Sequence, residues 1–200
     1  MQDFHLAVIP VGKVESDDVE ATLSRLAKGI RRQVELKGSL TVPQGVEDAT
    51  RKQFRASVLL NRLRAMVPQL GPGKLVGGEG ESEAGTHRKT DAYIFVTDVD
   101  LFTANTDGVF SALMRSKGLA VVSLRRLRES YYRRKADQNK QRERLAKELL
   151  RMAGRLLGAP ECSDPKCLMS AAKMFADVDL KEERYCRGCS QRLFEGKVQI

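Results

Sequence analysis

Four cysteines carry the most specific chemistry in this 200-residue sequence. They fall as Cys162-x4-Cys167 and, after eighteen intervening residues, Cys186-x2-Cys189. Two close pairs separated by a moderate loop can bring four thiolates into a tetrahedron, the geometry zinc accepts in structural sites. Gly188 inside the second pair lets the chain turn tightly around an ion, and Pro165 stiffens the first loop. Two disulfides, an iron–sulfur cluster and four buried thiols are the rival readings, and a reducing compartment argues against the disulfides. A closed sulfur site leaves no open position for catalysis. The histidines are only two, His5 and His87. His87 stands beside Arg88 and Lys89 in a glycine-rich stretch and reads as a solvated loop side chain. His5, at the start of an apolar run, reads as structural.

Charge supplies a second candidate. The chain holds 35 Lys and Arg against 26 Asp and Glu, a formal net charge of +9, which favours an anionic partner. Residues 125–155 alone carry twelve basic and four acidic side chains, so most of the excess sits there. Tyr131-Tyr132-Arg133-Arg134-Lys135 sets two aromatics beside a basic cluster, a combination suited to phosphate contact and base stacking in RNA or another polyanion. The opposing expectation is a solvated helix face.

These residues need a scaffold. Apolar residues make up 42% and charged residues 30%, a globular composition for one domain with a small appendage. No apolar run approaches the roughly 20 residues of a membrane span, which argues against a membrane partner. The amino end lacks a basic n-region before its apolar run, so no signal peptide is expected, and four cysteines fit a cytoplasmic chain. His5–Gly12 reads as a buried strand, Ser16 as an N-cap, and residues 16–33 as an amphipathic helix through Val19, Leu23, Leu26 and Ile30. A second strand is expected over Val34–Val42 and a second helix over residues 49–67. Residues 70–90, with six glycines, read as a mobile surface loop. Ala92–Val96 is a buried strand, and Val109–Met114 with Leu119–Ser123 form a hairpin. A long helix spans about Asp137–Leu157, with Leu145, Leu149, Met152, Ala153 and Leu156 on one face and Gly158 and Pro160 ending it. The order β-α-β-α-β-β-β-α predicts an α/β fold with helices on a mixed sheet. The remainder, residues 159–200, is too short to fold by burial alone and calls for a metal staple.

The segment Arg151-Met152-Ala153-Gly154-Arg155-Leu156-Leu157-Gly158-Ala159-Pro160-Glu161-Cys162 resembles the zinc-binding stretch of the archaemetzincins. That family's pattern is His-Glu-x-x-His-x-x-Gly-x-x-His-Cys, then x4-Cys-x-Met and a later Cys-x-x-Cys. Gly158, Cys162, Cys167 and Met169 match in register, and Cys186 and Cys189 supply the later pair. Ile9-Pro10-Val11-Gly12, residues 96–102 and residues 121–128 are also similar to the family, so the likeness covers most of the chain outside the glycine-rich loop. The resemblance implies a metzincin-like mixed twisted sheet with helices over residues 1–158, and a C-terminal subdomain, 159–200, stapled by zinc on Cys162, Cys167, Cys186 and Cys189. It also implies zinc-dependent peptide hydrolysis and a Met-turn at Met169.

This sequence departs from the pattern where hydrolysis is performed. The three histidine positions read Arg151, Arg155 and Glu161, and the general-base position reads Met152. Arginine stays protonated and offers no lone pair, and methionine takes no proton from water. No His-Glu-x-x-His occurs elsewhere in the chain. The expectation is therefore an inactive homologue of a zinc metallopeptidase with one structural zinc, no catalytic zinc, and a peptide, protein or scaffold role. Either a guanidinium–carboxylate contact to Glu161 replaces the ion, or both arginines are solvated. Arg133, Arg134, Lys135, Arg151 and Arg155 together form the candidate anionic-ligand surface, which suits RNA or a ribonucleoprotein as the alternative partner. Val109–Met114 is the expected edge strand beside the cleft.

Overall fold

The computed structural model describes residues 4–77 and 90–195. Its elements in chain order are β1 (Leu6–Val11), α1 (Ser16–Ile30), β2 (Val34–Leu36), β3 (Glu47–Asp48), β4 (Gln53–Arg55), α2 (Ala56–Met66), β5 (Lys74–Val76), β6 (Ala92–Thr97), β7 (Leu101–Thr103), β8 (Thr106–Val109), β9 (Ser111–Met114), β10 (Leu119–Ser123), α3 (Gln138–Leu156), α4 (Phe175–Leu180) and α5 (Arg187–Phe194). Two sheets result. The larger has the order β5-β2-β1-β6-β10-β9, and the smaller β3-β4-β7-β8. In the larger, β2, β1, β6 and β10 run parallel, while β5 and β9 close its two edges antiparallel.

Alternation explains why the large sheet is covered on both faces. Leu6 and Val8 of β1, with Ala92, Ile94 and Val96 of β6, face a core completed by α1 and α3. Ala7, Ile9 and Val11, with Tyr93 and Phe95, face the opposite core under α2. Parallel strands buried on both sides are therefore apolar at consecutive positions, and the near-continuous apolar runs of β1 and β6 follow from it. The mixed α/β fold expected from the sequence is the fold observed.

Several local expectations need correction. Ser16 is the first helical residue, with Glu15 at the cap and no side-chain cap bond. Asp18 is buried and accepts from Gln138, Gln141 and Arg142, so it joins α1 to α3. The second strand ends at Leu36, and Leu40 returns only for an isolated bridge to Val11. The second helix begins at Ala56, because Phe54 and Arg55 are extended by pairing with Leu101 and Phe102. Val109–Met114 is two strands broken at Phe110: Val109 belongs to the small sheet and Ser111–Met114 to the edge of the large one. Within the expected loop at 70–90, Lys74–Val76 pairs with β2. His87 and the rest of that loop over 78–89 lie outside the described residues. His5 sits at the start of β1, its Nε2 4.0 Å from Glu35.

Candidate functional site

α3 positions the site. Asp137 caps it by accepting from the Lys140 N–H at 3.0 Å, and Leu145, Leu149, Met152 and Ala153 bury its apolar face against the sheet. A second stripe at helical spacing, Arg144, Glu148 and Arg151, is also buried. It faces edge strand β9 and the C-terminal segment, and each charge there finds a partner.

Glu148 lies at the centre of this stripe and is 0% exposed. Arg151 donates to it from Nε and Nη2 at 3.1 Å, the Ser111 hydroxyl donates at 2.8 Å, and Lys181 Nζ lies 3.2 Å away. Arg151 Nη2 also donates to the Ser111 hydroxyl at 2.7 Å, so β9, α3 and the tail meet at one carboxylate. Burial pushes the Glu148 carboxyl up, but the charges of Arg151 and Lys181, with their hydrogen bonds and that of Ser111, outweigh it and bring the carboxyl down to about 2. Lys181 moves down as well. Its burial and the nearby Arg151 disfavour its charge more than the shared Glu148 favours it. One carboxylate thus serves two cations. A turn earlier, Arg144 donates to Asp179 at 2.6 and 2.7 Å, to Glu129 at 2.7 Å and to the Leu127 carbonyl at 2.8 Å.

The helix ends beside this network. Leu157 caps it, and Gly158 takes φ +105°, a conformation that glycine adopts without the strain of a Cβ. Met169 is fully buried below, and its sulfur would stand 2.7 Å from a Cβ at Gly154. That close approach accounts for a glycine inside a helix, where it otherwise costs about 1 kcal/mol against alanine.

Cys162, Cys167, Cys186 and Cys189 converge beyond the turn. All four sulfurs lie within 4.8 Å of one another, and Cys162 and Cys186 are 3.8 Å apart. Four thiolates about 2.3 Å from a central zinc would be separated by about 3.8 Å. The separation exceeds a disulfide's by far, and all four cysteines are free. The Cys186 backbone N–H donates to the Cys167 sulfur at 3.3 Å. Burial pushes the Cys167 and Cys189 thiols up, while the Cys189 N–H lowers that of Cys186. Four sulfurs at this spacing fit a metal ion such as zinc.

The corner formed by residues 151, 152, 155 and 161 differs. Arg151 is 8% exposed and committed to Glu148, while its Nη1 reaches Glu161 only as an ion pair of 3.8 Å. Solvation of both arginines is thus not what Arg151 does, and the contact to Glu161 is secondary to the one with Glu148. Arg155 is partly exposed and donates to the Ala159 carbonyl at 3.4 Å. Met152 is buried in the core. Two guanidiniums, a thioether in the core and one exposed carboxylate are a donor set that does not fit a zinc ion. Arg133, Arg134 and Lys135 do not join this corner. They precede the cap of α3, whose first residue lies about 20 Å along the axis from Arg151 at 1.5 Å per residue. Arg134 pairs with Glu129 at 3.5 Å. Sequence reasoning missed Glu148, Lys181 and Ser111. Only Glu148 carried a local signal, its place three residues before Arg151 on one helix face.

Comparison with known proteins agrees with this architecture. Residues 17–195 match Peptidase family M54. An archaemetzincin from Pyrococcus furiosus is 29% identical over 199 residues, covering 95% of this chain and 92% of the relative. One from Methanocaldococcus jannaschii is 25% identical, covering 98% and 96%. Among solved structures, a zinc-dependent peptidase from Methanocorpusculum labreanum superposes with a TM-score of 0.79 at 22% identity, covering 94% of this chain and 99% of that one. The archaemetzincin of Methanopyrus kandleri gives 0.74 at 24% identity, covering 98% and 96%. With the family matched from residue 17 to residue 195, the chain belongs to peptidase family M54, the archaemetzincins.

Proposed function

We propose that this archaemetzincin has lost metal-assisted hydrolysis and uses its scaffold to bind a peptide without cutting it. The observation that carries the reading is the Arg151 guanidinium, held by buried Glu148 and Ser111 at the first position of the family's ligand pattern. A fixed cation there repels a divalent ion, and Met152 offers no base to activate water. The four cysteines hold one zinc in a closed, structural role, and such a thiolate site fits a cytoplasmic protein. Among the described residues nothing pairs with the outer side of edge strand β9, where an extended peptide can add as a further strand.

Elemental analysis tests this. The expected content is one zinc per chain, with no peptide hydrolysis. Two zincs, or hydrolysis abolished by chelation, would overturn the reading. Restoring Arg151→His, Met152→Glu, Arg155→His and Glu161→His together should raise the content to two and so check the register. A second reading, RNA binding, draws on Tyr131, which is exposed with the Arg125 and Arg126 guanidiniums 6.0 and 5.2 Å from its ring centre. Steep loss of RNA retention with salt would favour it.

A further inference from the structure

Two arginine side chains reach the turn at Gly158–Ala159. Arg155 reaches it from the last turn of α3, with Nη1 3.4 Å from the Ala159 carbonyl. Arg115 reaches it from the other side, its Nη2 2.8 Å from where a Cβ would stand on Gly158. Glycine leaves room for that approach. Arg115 is exposed, immediately follows the last residue of β9, and has no carboxylate partner among the described residues. Glu161, two residues beyond Ala159, pairs instead with Arg151. Buried Glu148 is held by Arg151 and Lys181. Two guanidiniums thus approach one turn near the end of the edge strand, and neither has a carboxylate partner among the described residues.

We infer that Arg115 and Arg155 form a receptor for a carboxylate carried by an extended peptide lying along β9. This rests on the peptide-binding reading above and deepens it. Guanidinium forks suit a carboxylate because two parallel N–H groups meet its two oxygens, and a shared anion relieves the repulsion between two neighbouring cations. The carboxylate is either the chain terminus or an aspartate or glutamate side chain. The competing account is that both cations merely offset the negative end of the α3 dipole.

Immobilised protein is challenged with one pool of mixed-sequence octapeptides in three forms: free C-terminal acid, C-terminal amide, and amide with one internal glutamate. Retention is quantified by mass spectrometry. The acid or the internal-glutamate form should be retained about tenfold more tightly than the plain amide, and whichever form prevails identifies the source of the carboxylate. Arg115→Gln and Arg155→Gln should each erase most of that preference, and Arg155→Lys should restore part of it. Equal retention of all three forms would overturn the receptor and leave the peptide-binding reading standing. Retention of none would overturn both. A preference that survives both glutamine variants, or variants that lower only thermal stability, would return the pair to a dipole role.

Discussion

The cysteine cluster and the arginine corner are neighbours that solve one electrostatic problem in opposite ways. At Cys162, Cys167, Cys186 and Cys189, the chain supplies four sulfurs spaced to take a cation from solution. At Arg151, it supplies the cation covalently and anchors it on the chain's own Glu148. A metal seated on the sulfurs would make the first region depend on metal supply, whereas the charge of Arg151 is built into the chain.

The largest effect should come from breaking the sulfur side. Structural zinc contributes most of the folding energy of small metal-stapled segments, so a strong chelator or Cys167→Ser should lower the melting temperature by on the order of 10–20 °C. A scan unchanged by the chelator would equate the two regions. On the other side, Glu148→Ala leaves Arg151 and Lys181 facing each other without their shared carboxylate. Breaking a buried pair in this way costs roughly 3–5 kcal/mol, measurable by urea unfolding of the zinc-loaded protein. Zinc content should stay unchanged in that variant, since the two sites share no ligand.

Acid sharpens the contrast. Glu148 is held below its ordinary 4.5, so its stabilisation is complete above that value and is lost as pH falls toward about 2. Glu148→Gln should flatten that part of the acid limb, read as unfolding free energy against pH in the zinc-free protein, where thiolate protonation cannot contribute. A slope identical to wild type would mean that the carboxyl titrates normally. The smallest effect is expected at Gly154→Ala, where relief of glycine's helix cost is set against a collision with Met169. The net loss should be about 1 kcal/mol by urea unfolding. A gain in stability would show that the methionine yields freely.

How legible these regions were depended on sequence distance. The cysteine cluster could be read directly, because each pair is local and its spacing is characteristic. β1, β6 and α3 were also visible, since each is long, apolar in a single period and bounded by turn residues. β3, β4 and β7 were not. They are two or three residues long and exist because distant segments pair, as Phe54 does with Leu101. The anchoring of Arg151 was hidden in part: Glu148 is only three residues before it, but Ser111 lies 40 residues before. Glu161, the partner suggested by family register, is close in sequence but mostly exposed, and an exposed carboxylate competes poorly with a desolvated one.

The place of β1 in the sheet has a consequence for the order of assembly. It lies between β2 and β6, and its register with β6 joins residues 6–11 to residues 92–97. Ribosomal synthesis therefore exposes the first strand long before its second neighbour exists, a non-local pairing of the kind that slows folding. The cysteines emerge later still. A metal seated on them would therefore close the fold only after every strand of the sheet has been made.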